Sequence, residues 1–330
     1  MKTGNLAKLA LGLMLALLFG ILTDFYIFPG KNQARLFFRS GLMVALLFGL
    51  AASLLACNLT RVSVMSRQAK ITGSNTAKRG SVIFHLGLVL ILFGFGISAL
   101  FGMKGRVMIP EGVAVRFPSE ISSVETGKLH SFEEYTVGLN EMELVREGEN
   151  IGQVRSHVDF ITNGQSGRRV IEINRPAKFR GYYWRSMNWG YSVHLIIKSE
   201  DMTVLDNFLN IATHRDGLYY DRYSVPDLGE FQVRFYANMP VQGKPAEKAV
   251  FPDRPAVEIK LLSSDTSGAE PGGPIIPLGQ TGKLGNYTVS FSEHRFWEEF
   301  DVSSDPGESF IFLGSILAVA GLFLRVVFRG

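Results

Sequence analysis

Four apolar runs, at residues 9–28, 42–57, 81–101 and 310–328, constrain this chain more than any other feature. A bilayer's hydrocarbon core is crossed by roughly 20 mostly apolar residues in a helix. The second run is the shortest, but Phe37 and Phe38 precede it across a single charge, Arg39, so a tilted span or a slightly thinned bilayer accommodates it. The first run follows Lys2 and Lys8, as a signal peptide would. It is nevertheless longer than an ordinary signal core, no small-x-small cleavage site follows it, and Pro29-Gly30 reads as a turn, so it is expected to stay as a helix.

Charge sets the expected orientation. Residues 58–79 carry Arg61, Arg67, Lys70, Lys78 and Arg79 with no acidic residue, which marks a basic cytoplasmic loop under the positive-inside rule. Alternation then places the amino terminus and the tail with Arg325 and Arg329 inside, and residues 103–308 outside. The short link with Lys31, Arg35 and Arg39 runs against this and is outweighed by the denser cluster. The expected organisation is three helices within residues 1–102, an outer domain over 103–308, and a closing helix with a short basic tail over 309–330.

The outer segment alternates apolar and polar residues with the period of half-buried strands. Val154, Val158 and Phe160 are expected on one face. The same holds for Ile171 with Ile173, Val193 with Leu195 and Ile197, Phe231 with Val233 and Phe235, Val257 with Ile259 and Leu261, and Tyr287 with Val289 and Phe291. Asn163-Gly164 and Gly285-Asn286 are turn formers of the kind that join antiparallel strands. The fold expected is four transmembrane α-helices with a large extracytoplasmic, antiparallel β-sandwich-like domain. Residues 263–285, rich in Ser, Gly and Pro, are expected to form a mobile loop without a regular ladder.

Composition excludes several chemistries. The formal charge of +4 is too small, and too concentrated beside the apolar runs, to indicate nucleic acid. The one cysteine, Cys57, permits neither an internal disulfide nor CxxC chemistry. Leu54-Leu55-Ala56-Cys57 looks like a lipoprotein box but follows a second span rather than a signal core. No GxSxG, Walker loop, HExxH or CxxCH is present, so a self-contained hydrolase, nucleotide enzyme or cytochrome c has no support.

His85 is the residue that most invites a functional reading. It sits about 6 to 9 Å inside the third span, where an imidazole costs free energy unless it meets a partner. A neutral imidazole is also a good axial ligand for haem iron. The alternative is a packing histidine bonded to a neighbouring helix. Gly94 with Ser98, and Gly314 with Ala318, have the spacing that lets helices approach closely, and simple packing of the third span on the fourth is the plainer reading of them.

Arg180-Gly181-Tyr182-Tyr183-Trp184-Arg185 and Trp189-Gly190-Tyr191 gather aromatics and cations on which a haem face and its propionates could rest, with Trp184 and Arg180 as candidates. The competing reading is aromatic residues filling a sandwich core. His130, His157, His194, His214 and His294 lack metal-ligand spacing. His294 with Trp297, Glu298 and Glu299 is a minor candidate for a ligand site, against a simple solvated acidic turn.

Taken in order, these segments resemble the ResB family of cytochrome c biogenesis proteins. His85-Leu86-Gly87-Leu88-Val89-Leu90-Ile91-Leu92-Phe93-Gly94 is similar to that family's third span. Glu172-Ile173-Asn174-Arg175-Pro176, followed by Phe179-Arg180-Gly181-Tyr182-Tyr183-Trp184, resembles its characteristic strand pair. Asp305-Pro306-Gly307 leading to Phe312-Leu313-Gly314-Ser315 resembles its entry to the last span. Many relatives carry histidine where this chain has Arg175, and many have a longer outer domain.

The resemblance implies a multi-pass protein of the bacterial cytoplasmic membrane, a System II subunit not catalytic alone within a cytochrome c haem lyase and transport complex. It implies a tryptophan-rich CcsA/ResC-type partner, apocytochrome c as client, thiol-reducing proteins as further partners, and haem b as transported cargo. It also implies that His85 is an intramembrane haem ligand, paired with a histidine of the partner. The alternative function is a membrane scaffold that binds no haem and docks proteins through its outer domain. A transporter acting alone is disfavoured by the absence of paired hydrophobic halves.

Overall fold

The computed structural model describes residues 3–26, 40–72, 76–147, 150–162, 164–200, 202–215, 218–226, 228–239, 251–262 and 273–328. Its helices are α1 (Thr3–Tyr26), α2 (Gly41–Thr72), α3 (Thr76–Phe101) and α4 (Glu308–Val327). Three are long and apolar enough to cross a membrane, over Gly41–Val64, Lys78–Phe101 and Glu308–Val327, while the apolar part of α1 at Lys8–Gly20 is shorter. Helix α2 continues past its apolar run to Thr72, so most of the stretch expected as a loop at 58–79 is helical. Residues 58–72 contain no Gly or Pro, and Arg, Gln, Lys and Met are good helix formers whatever their charge. Pro29, Gly30 and the link at 31–39 lie outside the described residues.

Two compact units result. Met1–Lys104, Val124–Phe132 and Ser303–Gly330 make a helical unit, and Gly105–Ser123 with Glu133–Val302 make a β unit. In the helical unit, α3 and α4 run antiparallel along a seam of glycines seven residues apart. A Cβ built on Gly87 would lie 2.5 Å from both Ala318 N and Gly314 O, one on Gly80 2.6 Å from Arg325 N, and one on Gly94 2.9 Å from Gly307 O. Gly314 and Gly321 are equally crowded, by Gly87 and by Gly80 and Phe84. A seven-residue repeat keeps these positions on one stripe, and the missing side chains let the two backbones touch, which drives association where lipid removes the hydrophobic incentive. Ser98 Oγ extends the seam, 3.0 Å from Gly94 O and 2.5 Å from Asp305 Oδ1. The four-residue pairs seen in the sequence therefore belong to packing of α3 on α4.

The strands run β1 (Met103–Pro110), β2 (Val113–Phe117), β3 (Ser122–Thr126), β4 (Tyr135–Glu147), β5 (Asn150–Thr162), β6 (Gln165–Glu172), β7 (Ala177–Phe179) and the long β8 (Tyr182–Ser199). Then follow β9 (Met202–Ile211), β10 (Thr213–Arg215), β11 (Leu218–Val225), β12 (Gly229–Tyr236), β13 (Ala256–Leu261), β14 (Ile275–Pro277), β15 (Thr281–Leu284) and the long β16 (Tyr287–Ser304). They form three sheets. One has the order β2-β4-β5-β6, another β10-β11-β12-β13-β14, and the largest β3-β1-β16-β8-β7, with β15 added to β16 and β9 to β8. The hairpins β4–β5, β5–β6, β8–β9, β11–β12 and β15–β16 are all antiparallel.

At 18 residues each, β8 and β16 are long enough to serve two cores. Strand β8 pairs with β7 near Trp184 and with β9 from Tyr191 to Ser199. Its second half and the start of β16 pack on the five-stranded sheet, bringing Val193, Leu195 and Ile197 against Phe231, Val233, Phe235, Val257 and Ile259. Near the other end an aromatic core forms. Phe117 stacks on Tyr135 at 4.6 Å, and Trp184 meets Phe160 at 5.4 Å and Phe300 at 5.9 Å. Each such fully buried ring contributes about 2–3 kcal/mol by leaving water. Between the two cores the Trp297 indole covers Gly190, and its Nε1 donates to Tyr191 O at 3.0 Å and Ile211 O at 3.1 Å.

Two further expectations are corrected. Residues 273–285 are not an irregular loop, because β14 pairs with β13 and inserts a buried Ile276 into the core, and β15 pairs with β16; residues 263–272 lie outside the described residues. Ile173 does not share the buried face of Ile171. Strand β6 ends at Glu172, whose backbone exchanges hydrogen bonds with Arg175, and this turn leaves Ile173 exposed.

Candidate functional site

His85 lies on α3, five residues beyond Gly80 and therefore about 140° round the helix from the glycine seam. It thus faces away from α4, on the side of α3 that receives α2. On that side Asn58 Nδ2 of α2 donates to Val82 O at 3.0 Å and Arg61 Nη1 donates to Ser81 Oγ at 3.3 Å. Asn58 is only 5% exposed, and its Oδ1 is enclosed without a hydrogen-bond partner. Polar groups on α2 thus grip α3 at Ser81 and Val82, one turn before His85.

The imidazole is half-buried and edge-on to Phe84, with ring centroids 5.5 Å apart. His85 Nδ1 lies 2.6 Å from Ser81 O. A carbonyl can only accept, so Nδ1 is the donor in this bond and Nε2 is the ring nitrogen left for a second partner. Among the described residues Nε2 meets no hydrogen-bonding partner. A ring held by a carbonyl in this way is oriented as a metal-ligating histidine is. One turn further along α3 begins an apolar groove of about 830 Å³, lined by Leu88, Ile91 and Leu92 with Leu47 and Leu50 of α2 and Met14 of α1.

The other candidates are dispersed. Trp184 is fully enclosed in the aromatic core, its Nε1 donating to Tyr135 Oη at 3.3 Å, so it offers no ring face to a ligand and fills the core role that the sequence also allowed. Arg180 occupies a turn at φ 48°, its Nη1 2.5 Å from Glu133 Oε2. His294, Trp297, Glu298 and Glu299 make different contacts, and because neighbours on a strand point to opposite faces, Glu298 is turned away from Trp297 and Glu299. His294 packs near Phe235 and burial lowers its pKa, while Glu299 lies 4.0 Å from Arg106.

Two arrangements escaped the sequence. Glu298 is fully buried, accepts a hydrogen bond from Ser156 Oγ, and has Oε1 enclosed without a partner. Burial pushes its carboxyl up to about 7, against the opposing hydrogen bonds of Ser156 and Ser186. Its strand period was readable, but nothing in Glu298-Glu299 says which acid turns inward. His157, Glu141 and Glu143 also meet, with Nε2 of His157 3.2 Å from Glu143 Oε1. The bulge between Leu139 and Glu141 sets Glu141 opposite His157, and no linear motif announces that pairing.

Comparison with known proteins places these features in context. The model of the ResB-like family matches residues 74–329, which includes α3, the β unit and α4. The chain is also similar to "Cytochrome c biogenesis protein Ccs1" of Rhodomonas salina, at 23% identity over 257 residues. That alignment covers 75% of this chain and 53% of the relative, so the chain spans about half the relative's length. A match running from the start of the His85 helix to the end of the glycine seam shows that the chain belongs to the ResB-like family.

Proposed function

We propose that this protein is a cytochrome c biogenesis subunit that holds haem b as cargo through His85 and, with a CcsA/ResC-type partner, helps deliver it to apocytochrome c. The observation that carries this reading is the Nδ1 bond to Ser81 O, which leaves Nε2 as the ring nitrogen open to a ligand inside an apolar helix. The chain's own residues supply orientation: Asn58 and Arg61 fix the start of α3, Ser81 O orients the ring, and the adjoining groove gives a flat apolar ligand room. A second imidazole from the partner would complete axial ligation, and the iron and vinyl chemistry belong to the haem.

In this reading α1 joins the three helices with longer apolar stretches as a fourth span, both termini are cytoplasmic, and the β unit is extracytoplasmic in a bacterial cytoplasmic membrane. The basic residues from Arg61 to Arg79 support that orientation. The β unit would position partners, thiol-reducing proteins among them.

The test is to co-purify the full chain with its tryptophan-rich partner and record haem spectra for wild type and His85→Ala. The expected result is loss of low-spin bis-imidazole haem in the variant, partly restored by added imidazole. Unchanged occupancy and ligation would overturn the haem reading in favour of the scaffold.

A further inference from the structure

From the second half of β3 onward the chain leaves the β unit, and Val124–Phe132 cluster with the helices instead. This excursion caps the carbonyl end of α3. Leu129 N donates to Leu100 O at 2.9 Å and Gly127 N to Gly102 O at 2.8 Å, while His130 Nδ1 lies 2.6 Å from Phe101 O. Three successive carbonyls at a helix end, which lack partners within the helix, are thereby satisfied. The approach requires glycine at 127, since a Cβ there would lie 2.3 Å from the Leu100 carbonyl. These bonds tie the segment to the last turn of an apolar helix that ends at Phe101, and so fix its depth.

The segment exposes apolar side chains together with the polar Thr126, Lys128 and Ser131. Leu129 is 58% exposed, Phe132 38% and Phe101 41%, with the exposed Lys128 beside them. A charged stem next to Leu and Phe at the end of a membrane helix matches the chemistry of the boundary between headgroups and acyl chains. There the rings and Leu enter the upper acyl region and the ammonium meets phosphates. We infer that residues 124–132 form an interfacial membrane anchor, with Leu129 and Phe132 inserted among lipid chains and Lys128 at the headgroups of the leaflet where α3 ends. The occupant is lipid rather than protein because the bonds to Leu100, Phe101 and Gly102 hold the segment level with the end of a lipid-facing helix.

The experiment uses the full chain in nanodiscs of phosphatidylcholine and phosphatidylglycerol. A polarity-sensitive fluorophore is placed at Leu129→Cys in a Cys57→Ser background, and a second preparation carries it at Phe132→Cys. Native tryptophan emission serves as the folding check. The expected result is quenching by lipids with a nitroxide high on the acyl chain, comparable with that of a probe at Phe101→Cys, with weak quenching by aqueous iodide. Strong iodide quenching without lipid quenching at both sites would overturn the inference. So would a probe shielded from both quenchers, which would assign the surface to a protein partner or a second copy. His85→Ala should leave the quenching unchanged, so this result stands apart from that of haem binding.

Discussion

Replacing Glu298 with glutamine should make the β unit more stable at pH 8 and remove a pH dependence of its folding. The carboxyl is fully buried and its pKa is raised from 4.5 to about 7. At ~1.4 kcal/mol per pH unit, that displacement corresponds to about 3 kcal/mol between the protonated and ionised folded states. Because the folded protein holds this proton more tightly than the unfolded chain, its stabilising effect is complete below about pH 4.5, declines as pH rises toward 7, and is gone above it. Glutamine keeps the shape and the acceptor for Ser156 without the charge. His294 works the other way, since its lowered pKa costs stability as pH falls below 6.5, so the informative quantity is the difference between wild type and variant. All three tryptophans, Trp184, Trp189 and Trp297, lie in the β unit, so guanidinium unfolding of the full chain followed by their emission reads that unit selectively. The variant's midpoint should exceed wild type by about 0.5–1 M at pH 8 and match it near pH 4.5. A difference that does not change between those two pH values would refute the reasoning.

Gly87→Leu should separate α3 from α4, because its side chain meets backbone rather than a movable side chain; disulfide trapping between cysteines placed at Ser98 and Asp305, whose side chains meet across the seam, should fall severalfold relative to the Gly87 background, and undiminished trapping would count against the glycine seam. Trp297→Phe removes the donor shared by Tyr191 O and Ile211 O and should cost the β unit about 1–3 kcal/mol in denaturant unfolding; a cost below about 0.5 kcal/mol would mean that the indole N–H is dispensable.

Strand alternation made much of the β unit legible in advance. Val193, Leu195 and Ile197, and Phe231, Val233 and Phe235, are buried together as their period requires. The failures have physical causes. Ile275-Ile276 was submerged in a Gly- and Pro-rich stretch, and pairing with β13 outweighed composition. The basic residues after Asn58 suggested a loop, yet charge does not interrupt a helix when neither Gly nor Pro is present. Gly80, Gly87, Gly94 and their counterparts Gly307, Gly314 and Gly321 were visible all along, but four-residue spacing attracted attention first and the seven-residue stripe appears only when the two helices are laid together. At the candidate site, His85 stood out because a titratable group in an apolar span is conspicuous. Its ring orientation, set by Ser81 O, depends on a side-chain rotation that no sequence encodes legibly.

The position of β16 in its sheet has a consequence for biogenesis. It lies between β1 and β8, so the central strand of the largest sheet is synthesised after every other strand in it. Until it arrives, β1 and β8 both present open edges able to recruit foreign strands. Folding of this region must therefore wait for nearly all of it to emerge, and a chaperone that shields those two edges in the meantime would protect the nascent protein from aggregation.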